Sequence, residues 1–438
     1  MRILSAATVV LALLAFAACG SGDNAPPSGT PTSTAAPTPT PTPTAFHSPT
    51  PTPITSPYPT LTLTPAPTPT PFPTPVPGPA LNVSSPTSVV FIRNPANGWT
   101  RQGELWIADL AGHTQRLTPE GVSGGFVGLV GDPFAGPAIL YYITSASDDE
   151  AALYGRVLPD GEPQPLAHIR SWYSDRTVGA LSPDGRYIAY TDRYGIELLD
   201  LQASEFRLIA AGGNKDQCDN PTLGGTIGAC RGFVSVRWSP DGQRISAQEY
   251  YYEGGDSYIV DPFNIGTPIK AGNSGGADWA PASDAICSYG EYAEYSSLYV
   301  SRSPDWTKSS VLPGYVGQTT APFHSVNGCE WMDEGTIATA ILVDPGYPTP
   351  PYSYVASLDL STGNLTTLTE DSQHEAAWSR DIFASPYDGL VFTQYWQPAP
   401  TDPNTEYPTQ PEAIDVATGN HYSFLGAGDV IVAVTNPS

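Results

Sequence analysis

From about Leu81 to Ser438 the chain alternates short apolar runs with polar turns, and no stretch keeps the apolar period of a helix. The runs come in sets. RWSPDGQRISAQEYYY leads to DSYIVDPFNIGTPIKA, and ALSPDGRYIAYTD leads to YGIELLDLQASEFRLI. DWAPASDAICSYG, CEWMDEGTIATAILV and AAWSRDIFASPYDGLVFTQY open three further sets, and two more degenerate ones precede them. Seven such units, each of roughly 40 to 50 residues, have the spacing of four-stranded propeller blades. In each, strand A ends at an SPDG-type turn and strand B is a YIAY-type run. Strand C is an IELLDL-type run, and D is a short RLT-type piece at the outside.

Local chemistry explains the punctuation. In Ser-Pro-Asp-Gly the proline presets φ, Ser and Asp bond nearby amides, and Gly accepts a positive φ. Asp109, Asp200, Asp261, Asp359 and Asp415 recur where strand C turns into D, and an aspartate there bonds its own turn without any ligand. Trp238, Trp279, Trp331 and Trp378 are read as core residues sharing one strand-A position before the turn. The first unit lacks a strand A, and the terminal DVIVAVTNPS resembles FVSVRWSPDG. The C-terminus is therefore expected to complete the first blade and close the ring, with LNVSSPTS as the alternative strand.

The SPDG turns, followed by YIAY-type and LYV-type strands, resemble the TolB-type propeller repeats of bacterial periplasmic proteins. The likeness covers nearly all of residues 81–438, and two of the seven turns match strictly. TolB proteins carry an α/β domain before the propeller; here a stalk is expected in its place, so a role in the Tol–Pal envelope system does not carry over. The resemblance implies a fold: all-β, a seven-bladed β-propeller of four-stranded antiparallel blades. Such a fold hosts binders and enzymes alike.

The segments before the propeller change the picture more than its composition does. Residues 1–18 read as a lipoprotein signal peptide: a minimal positive start, an apolar run too short to span a bilayer with flanks, then FAAC. Cys19 is the expected lipidation site, with acyl chains anchoring by about 0.8 kcal/mol per buried CH₂. Residues 19–80 are expected to form a disordered stalk. Runs such as TPTPTPT remove backbone donors and fix φ, giving a reach of up to about 180 Å. These features place the protein in the bacterial cell envelope, extracytoplasmic, touching the membrane through its lipid anchor only. Lys+Arg total 18 against 43 Asp+Glu, a net charge of -25, which disfavours nucleic acid as a partner.

Four further cysteines, Cys218, Cys230, Cys287 and Cys329, fit two disulfides in an exported domain, with three connectivities possible. Cys218 and Cys230 bracket a short insertion, whereas Cys287 and Cys329 sit on neighbouring blades. No spacing of metal-ligand type occurs, and no metal or other cofactor is expected.

Strand direction sends the A–B and C–D turns to one face and the B–C and D–A connections to the other. The second face receives every long insertion, including YYYEGGDS, YGEYAEYSS, VDPGYPTPPYS and YWQPAPTDPNTEYPTQP. Tyr250, Tyr251, Tyr252, Tyr289, Tyr292, Tyr295, Tyr347, Tyr395 and Trp396 are therefore the candidate binding residues. Glu253, Asp256, Glu291 and Asp344 beside them favour a cationic ligand. The expected partner is an envelope or extracellular protein, peptide or glycan, bound by a monomer acting as a scaffold. The competing reading is a propeller hydrolase or lyase acting on extracellular polysaccharide or peptide. Its weak signals are His168, His324 and His374, placed in D–A loops, and the GVSGG stretch, whose Ser123 reads as a loop serine.

Overall fold

A computed structural model describes residues 87–435 except 94–102, 148–149, 171–177, 193, 213–231, 252–253, 274–275, 291–295, 313–322, 345–351, 370–378, 386–387, 400–401, 409–410 and 427. All of them belong to the unit Pro73–Ser438. Cys19, Cys218, Cys230, Tyr252, Tyr292, Tyr295, Tyr347, His374 and the stalk lie outside the described residues.

The unit is all-β, built from seven antiparallel sheets. Blade 1 joins β29 (Val430–Thr435), β1 (Ser88–Arg93), β2 (Glu104–Asp109) and β3 (Thr114–Arg116). Blade 2 comprises β4 (Gly125–Val130), β5 (Ala138–Ser147), β6 (Glu150–Leu158) and β7 (Gln164–Arg170). Blade 3 comprises β8 (Gly179–Leu181), β9 (Tyr187–Asp192), β10 (Gly195–Asp200) and β11 (Glu205–Ala211). Blade 4 follows with β12 (Gly232–Trp238), β13 (Ile245–Tyr251), β14 (Gly254–Val260) and β15 (Ile269–Asn273). Blade 5 holds β16 (Ala277–Trp279), β17 (Ala285–Tyr289), β18 (Leu298–Arg302) and β19 (Thr307–Leu312). Blade 6 holds β20 (Phe323–Trp331), β21 (Thr336–Asp344), β22 (Tyr352–Asp359) and β23 (Leu365–Thr367). Blade 7 has β24 (Ser379–Ser385), β25 (Leu390–Ala399), β27 (Glu412–Asp415) and β28 (His421–Ser423), with β26 (Asp402–Pro408) added to the far half of β25.

The inner strands close a ring. β29 packs against β4, β4 against β8, and so on through β12, β16, β20 and β24, which returns to β29. The C-terminal strand pairs with β1 from Ser88↔Thr435 to Ile92↔Val430. Closure is reinforced where the chain enters blade 1: Thr87 and Ser385 both donate to Asp388 on the inner turn of blade 7. The core lies between blades. One cluster joins Tyr141, Ile143 and Leu153 of blade 2 to Ile188, Tyr190 and Leu199 of blade 3. Another joins Ala189, Ile196 and Leu198 to Phe233, Val236 and Trp238 of blade 4. Each blade thus buries both faces against neighbours, which is why the strands read as apolar runs rather than strict alternations.

The turns behave as their residues dictate. Ser182 donates to Asp184 at 2.6 Å and accepts from the Tyr187 amide at 2.8 Å, while Gly185 takes φ +71°. Ser239, Asp241 and Gly242 (φ +69°) repeat the arrangement. At the C–D turns, Asp200, Asp261, Asp359 and Asp415 each accept two amides from the residues two and three ahead. Asp109 binds the amide and ring of His113.

Tryptophan at the end of strand A latches one blade to the previous one. Trp238 Nε1 donates to the Ala180 carbonyl at 3.0 Å, and Trp279 Nε1 to the Arg237 carbonyl at 3.2 Å. Trp331 occupies the same place, but its indole N–H has no partner among the described residues. At this seam Cys287 and Cys329 form a disulfide with Cα atoms 6.3 Å apart. Trp378 lies outside the described residues, and the strand A of blade 7, β24, runs from Ser379 to Ser385, so its A–B turn comes after Ser385 and not after the WSRD tryptophan. The WSRD stretch resembles WSPD, but the turn falls at SPYDG instead.

Candidate functional site

The direction of the strands assigns every connection to a face. The A–B and C–D connections are short, such as 182–186, 239–244, 303–306 and 360–364. The longest connections, 94–103, 212–231, 313–322 and 368–378, are of B–C or D–A type and leave from the opposite face. The B strands end at that same face, and they carry there the aromatics expected from the sequence. Tyr250 and Tyr251 are the last residues of β13, and Tyr289 the last of β17.

Two of the expected insertions are strand rather than loop. YYYEGGDS continues the β13–β14 ladder to Tyr251↔Gly254. In blade 7, Tyr395 and Trp396 lie on β25 beyond its pairing with β27, where Trp396 is opposite Pro408 of β26. Period-two sequence and a proline-bearing edge strand favour a hairpin over a loose loop here. Tyr289 has a packing role of its own. Half-buried, it joins the cluster around Cys287 and Leu298, and its ring lies 3.3 Å from where a Cβ on Gly276 would stand.

The described residues at this face are rich in carboxylates held close to tyrosine. Glu197 lies opposite Tyr190, whose hydroxyl donates to it at 3.4 Å. Burial pushes the Glu197 carboxyl up, and the neighbouring Asp192 charge adds to the effect. Burial likewise pushes the Tyr190 phenol up. Asp192 accepts the amides of Tyr194 at 2.6 Å and Gly195 at 3.1 Å. In blade 4, Tyr258 donates to the buried Glu249 at 3.0 Å, and Glu249 faces Asp256 across the ladder. Lys270 pairs with Asp256 at 2.7 Å. In blade 1, Arg93 at the end of β1 pairs with Asp429 at 3.4 Å and lies 4.3 Å over the Trp106 ring. Burial raises the Asp429 carboxyl.

Near the short-turn ends of three consecutive inner strands sits a charged group that the sequence reading passed over. Arg237 of β12 donates to Asp278 of β16 at 3.1 Å and to Glu330 of β20 at 2.9 Å. Asp278 also accepts the Trp331 amide at 2.8 Å. One guanidinium serves two carboxyls. Burial, outweighing the attraction of Arg237 and aided by the Asp278 charge, pushes Glu330 up to about 8. The attraction of Glu330 raises Arg237 further. The group cross-links blades 4, 5 and 6. Its signal was in the sequence: the residue before the strand-A tryptophan is Arg in VRW, Asp in ADW and Glu in CEW.

The histidines among the described residues are not gathered. His168 lies on the outer strand β7 of blade 2 with Glu150 at 3.7 Å, and His324 on the inner strand β20 of blade 6. Both stand on strands rather than in D–A loops, because β7 and β20 run further than their sequence patterns show. Burial lowers His324. Ser123 is an exposed residue of the connection before β4, in an all-β setting. Among the described residues, no three His, Cys, Asp or Glu side chains converge to hold a metal ion.

No protein-family model matches the chain, and no curated protein matches it. Among solved structures it is similar to TolB from Acinetobacter baumannii, at 16% identity and TM-score 0.40 over 80% of this chain and 83% of that one. It is also similar to an oligogalacturonate lyase in complex with manganese, at 13% identity and TM-score 0.47 over 77% and 84%. A third is the periplasmic gluconolactonase PpgL of Pseudomonas aeruginosa, at 13% identity and TM-score 0.46 over 80% and 98%. At these identities likeness concerns the fold alone, and the seven-bladed ring is consistent with a TolB-type propeller.

Proposed function

We propose that the protein is a lipid-anchored, extracytoplasmic binding module that captures a cationic protein, peptide or glycan-bearing partner on its long-connection face. The observation carrying this reading is the one-sidedness of the ring: strand ends bearing Tyr250, Tyr251, Tyr289, Tyr395 and Trp396 share a face with the longest connections. Rigid aromatics with polar tips make large contacts at low entropic cost. Glu197, Asp192 and Glu249, hydrogen-bonded to tyrosine or to amides, set a negative potential there that draws cations. The disulfide supports an oxidising compartment, and FAAC ending at Cys19 supports lipidation and anchoring.

The test is capture from a cell-envelope extract by the full chain, followed by affinity measurement on the captured partner. Tyr251→Ala with Trp396→Ala is expected to weaken capture at least tenfold. Capture left intact by both substitutions contradicts the assigned surface. Cys19→Ala is expected to move the protein from the membrane to the soluble fraction without altering affinity.

A further inference from the structure

At the short-turn end of the ring, the packing of blade 5 on blade 6 leaves an open cavity of about 240 Å³. Its lining is Val300 and Arg302 of β18, Thr307, Ser309 and Val311 of β19, and Leu360 just after β22. Strand register explains the set. Thr307 and Ser309 are the direct partners of Arg302 and Val300, and cross-strand partners share a side of the sheet. That side faces blade 6, because Leu298 and Val300 pack with Val326, Cys329 and Trp331. Leu360 comes from blade 6 itself, where its amide donates to the Gly335 carbonyl at 2.8 Å.

Arg302 breaks a pattern of the ring. In blades 1, 3, 6 and 7 the residue opposite the first residue of strand B is Asp109, Asp200, Asp359 or Asp415. Each accepts an amide of its own C–D turn. In blade 5 the same register, opposite Ala285, holds Arg302. A guanidinium has no acceptor and cannot bond turn amides. Asp305 takes over that task, accepting the Thr307 amide at 3.4 Å and its hydroxyl at 3.0 Å. The Arg302 guanidinium instead lies 5.9 Å over the Trp331 ring. No carboxylate pairs with it among the described residues, in a chain of 43 Asp+Glu against 18 Lys+Arg. Asp305 and Asp359, the carboxylates adjoining the lining in sequence, are engaged by their own turns. The Ser309 hydroxyl also has no hydrogen-bond partner among the described residues.

We infer that this cavity binds a small organic acid, its carboxylate on Arg302 and its apolar body between the blades. The planar guanidinium matches a carboxylate with two parallel hydrogen bonds, and the Ser309 hydroxyl is a further donor on the same side of the sheet. Val300, Val311 and Leu360 receive the body. The volume suffices for an aromatic acid, since a cavity of about 150 Å³ holds benzene. The site stands at the opposite end of the strands from the long connections, so a ligand here leaves that face open to a partner.

The probe is para-fluorobenzoate, titrated against the full chain and read by fluorine NMR. Para-fluorobenzamide keeps the body without the charge, and fluoroacetate keeps the charge without the ring. The benzoate is expected to bind about tenfold more tightly than either, the scale of a hydrogen bond to a charged group. Arg302→Gln is expected to bring the acid down to the level of the amide. Arg302→Lys keeps the charge but loses the fork, and is expected to fall between the two. Leu360→Ala is expected to weaken the benzoate and leave fluoroacetate unchanged. Arg207→Gln, which alters an exposed arginine of blade 3, is expected to change nothing. An unaltered unfolding temperature establishes that each variant is folded, and the comparison of acid with amide needs no variant at all. Equal affinity of wild type for the benzoate and the benzamide overturns the proposal. So does an Arg302→Gln protein that binds the benzoate as wild type does, or a wild type that shows no saturable binding at millimolar benzoate.

Discussion

The seam between blades 5 and 6 offers the sharpest test of how the ring is held. Trp238 and Trp279 each tie a blade to its predecessor through the indole N–H, but Trp331 has no such bond. The Cys287–Cys329 disulfide stands at that seam, between residues 42 apart in sequence. On the loop-entropy model, releasing a crosslink of that span costs about 4 kcal/mol. With roughly 2.1 cal/mol/K per residue over a unit the size of Pro73–Ser438, that corresponds to a loss of about 5 °C in Tm. The perturbation is Cys287→Ala with Cys329→Ala, chosen over chemical reduction because it acts on this crosslink alone. Thermal unfolding gives the size of the effect, and amide hydrogen exchange gives its place. Exchange is expected to rise first in β17 and β20. A Tm within about 1 °C of wild type, or exchange rising equally in all seven blades, refutes the reasoning.

Other expectations follow from the same contacts. Trp238→Phe loses a made hydrogen bond whereas Trp331→Phe removes an unpartnered N–H, so the first costs about 1 kcal/mol more in denaturant unfolding. Glu330 holds its proton to about 8 in the folded chain against an ordinary 4.5. A carboxyl with a raised folded pKa contributes stability below pH 4.5 that is lost as pH rises through 8. Glu330→Gln is therefore expected to flatten a decline in unfolding free energy between those limits, and an unchanged pH profile contradicts the assignment. Asp241→Ala removes the acceptor for Ser239 and for the Gln243 amide, at a cost of about 1 kcal/mol by the same unfolding assay.

Much of this architecture was legible in the sequence because it is local and repeated. The SPDG turns and the aspartates ending strand C announce the hairpins through their own hydrogen bonds, and closure by DVIVAVT follows from a strand missing at the other terminus. What was not legible is what depends on register across space. Trp378 was placed by its likeness to WSPD, yet the turn lies at Ser385, and only pairing of β24 with β25 distinguishes the two. Tyr395 and Trp396 read as loop because prolines surround them, though an edge strand tolerates proline. The Arg237–Asp278–Glu330 group was written in three aligned triplets, but charges 93 residues apart gain meaning only once the ring brings their strands together.

The proposed long-connection face is shared by all seven blades only if the ring closes. Ser88 and Thr435 are direct partners across the β1–β29 pair, within reach of a disulfide. In the variant Ser88→Cys with Thr435→Cys, mass spectrometry of the oxidised monomer measures closure directly. The account predicts an intramolecular crosslink between the two positions, together with a higher Tm. Free thiols at both positions in the folded protein, or crosslinks only between molecules, contradict it.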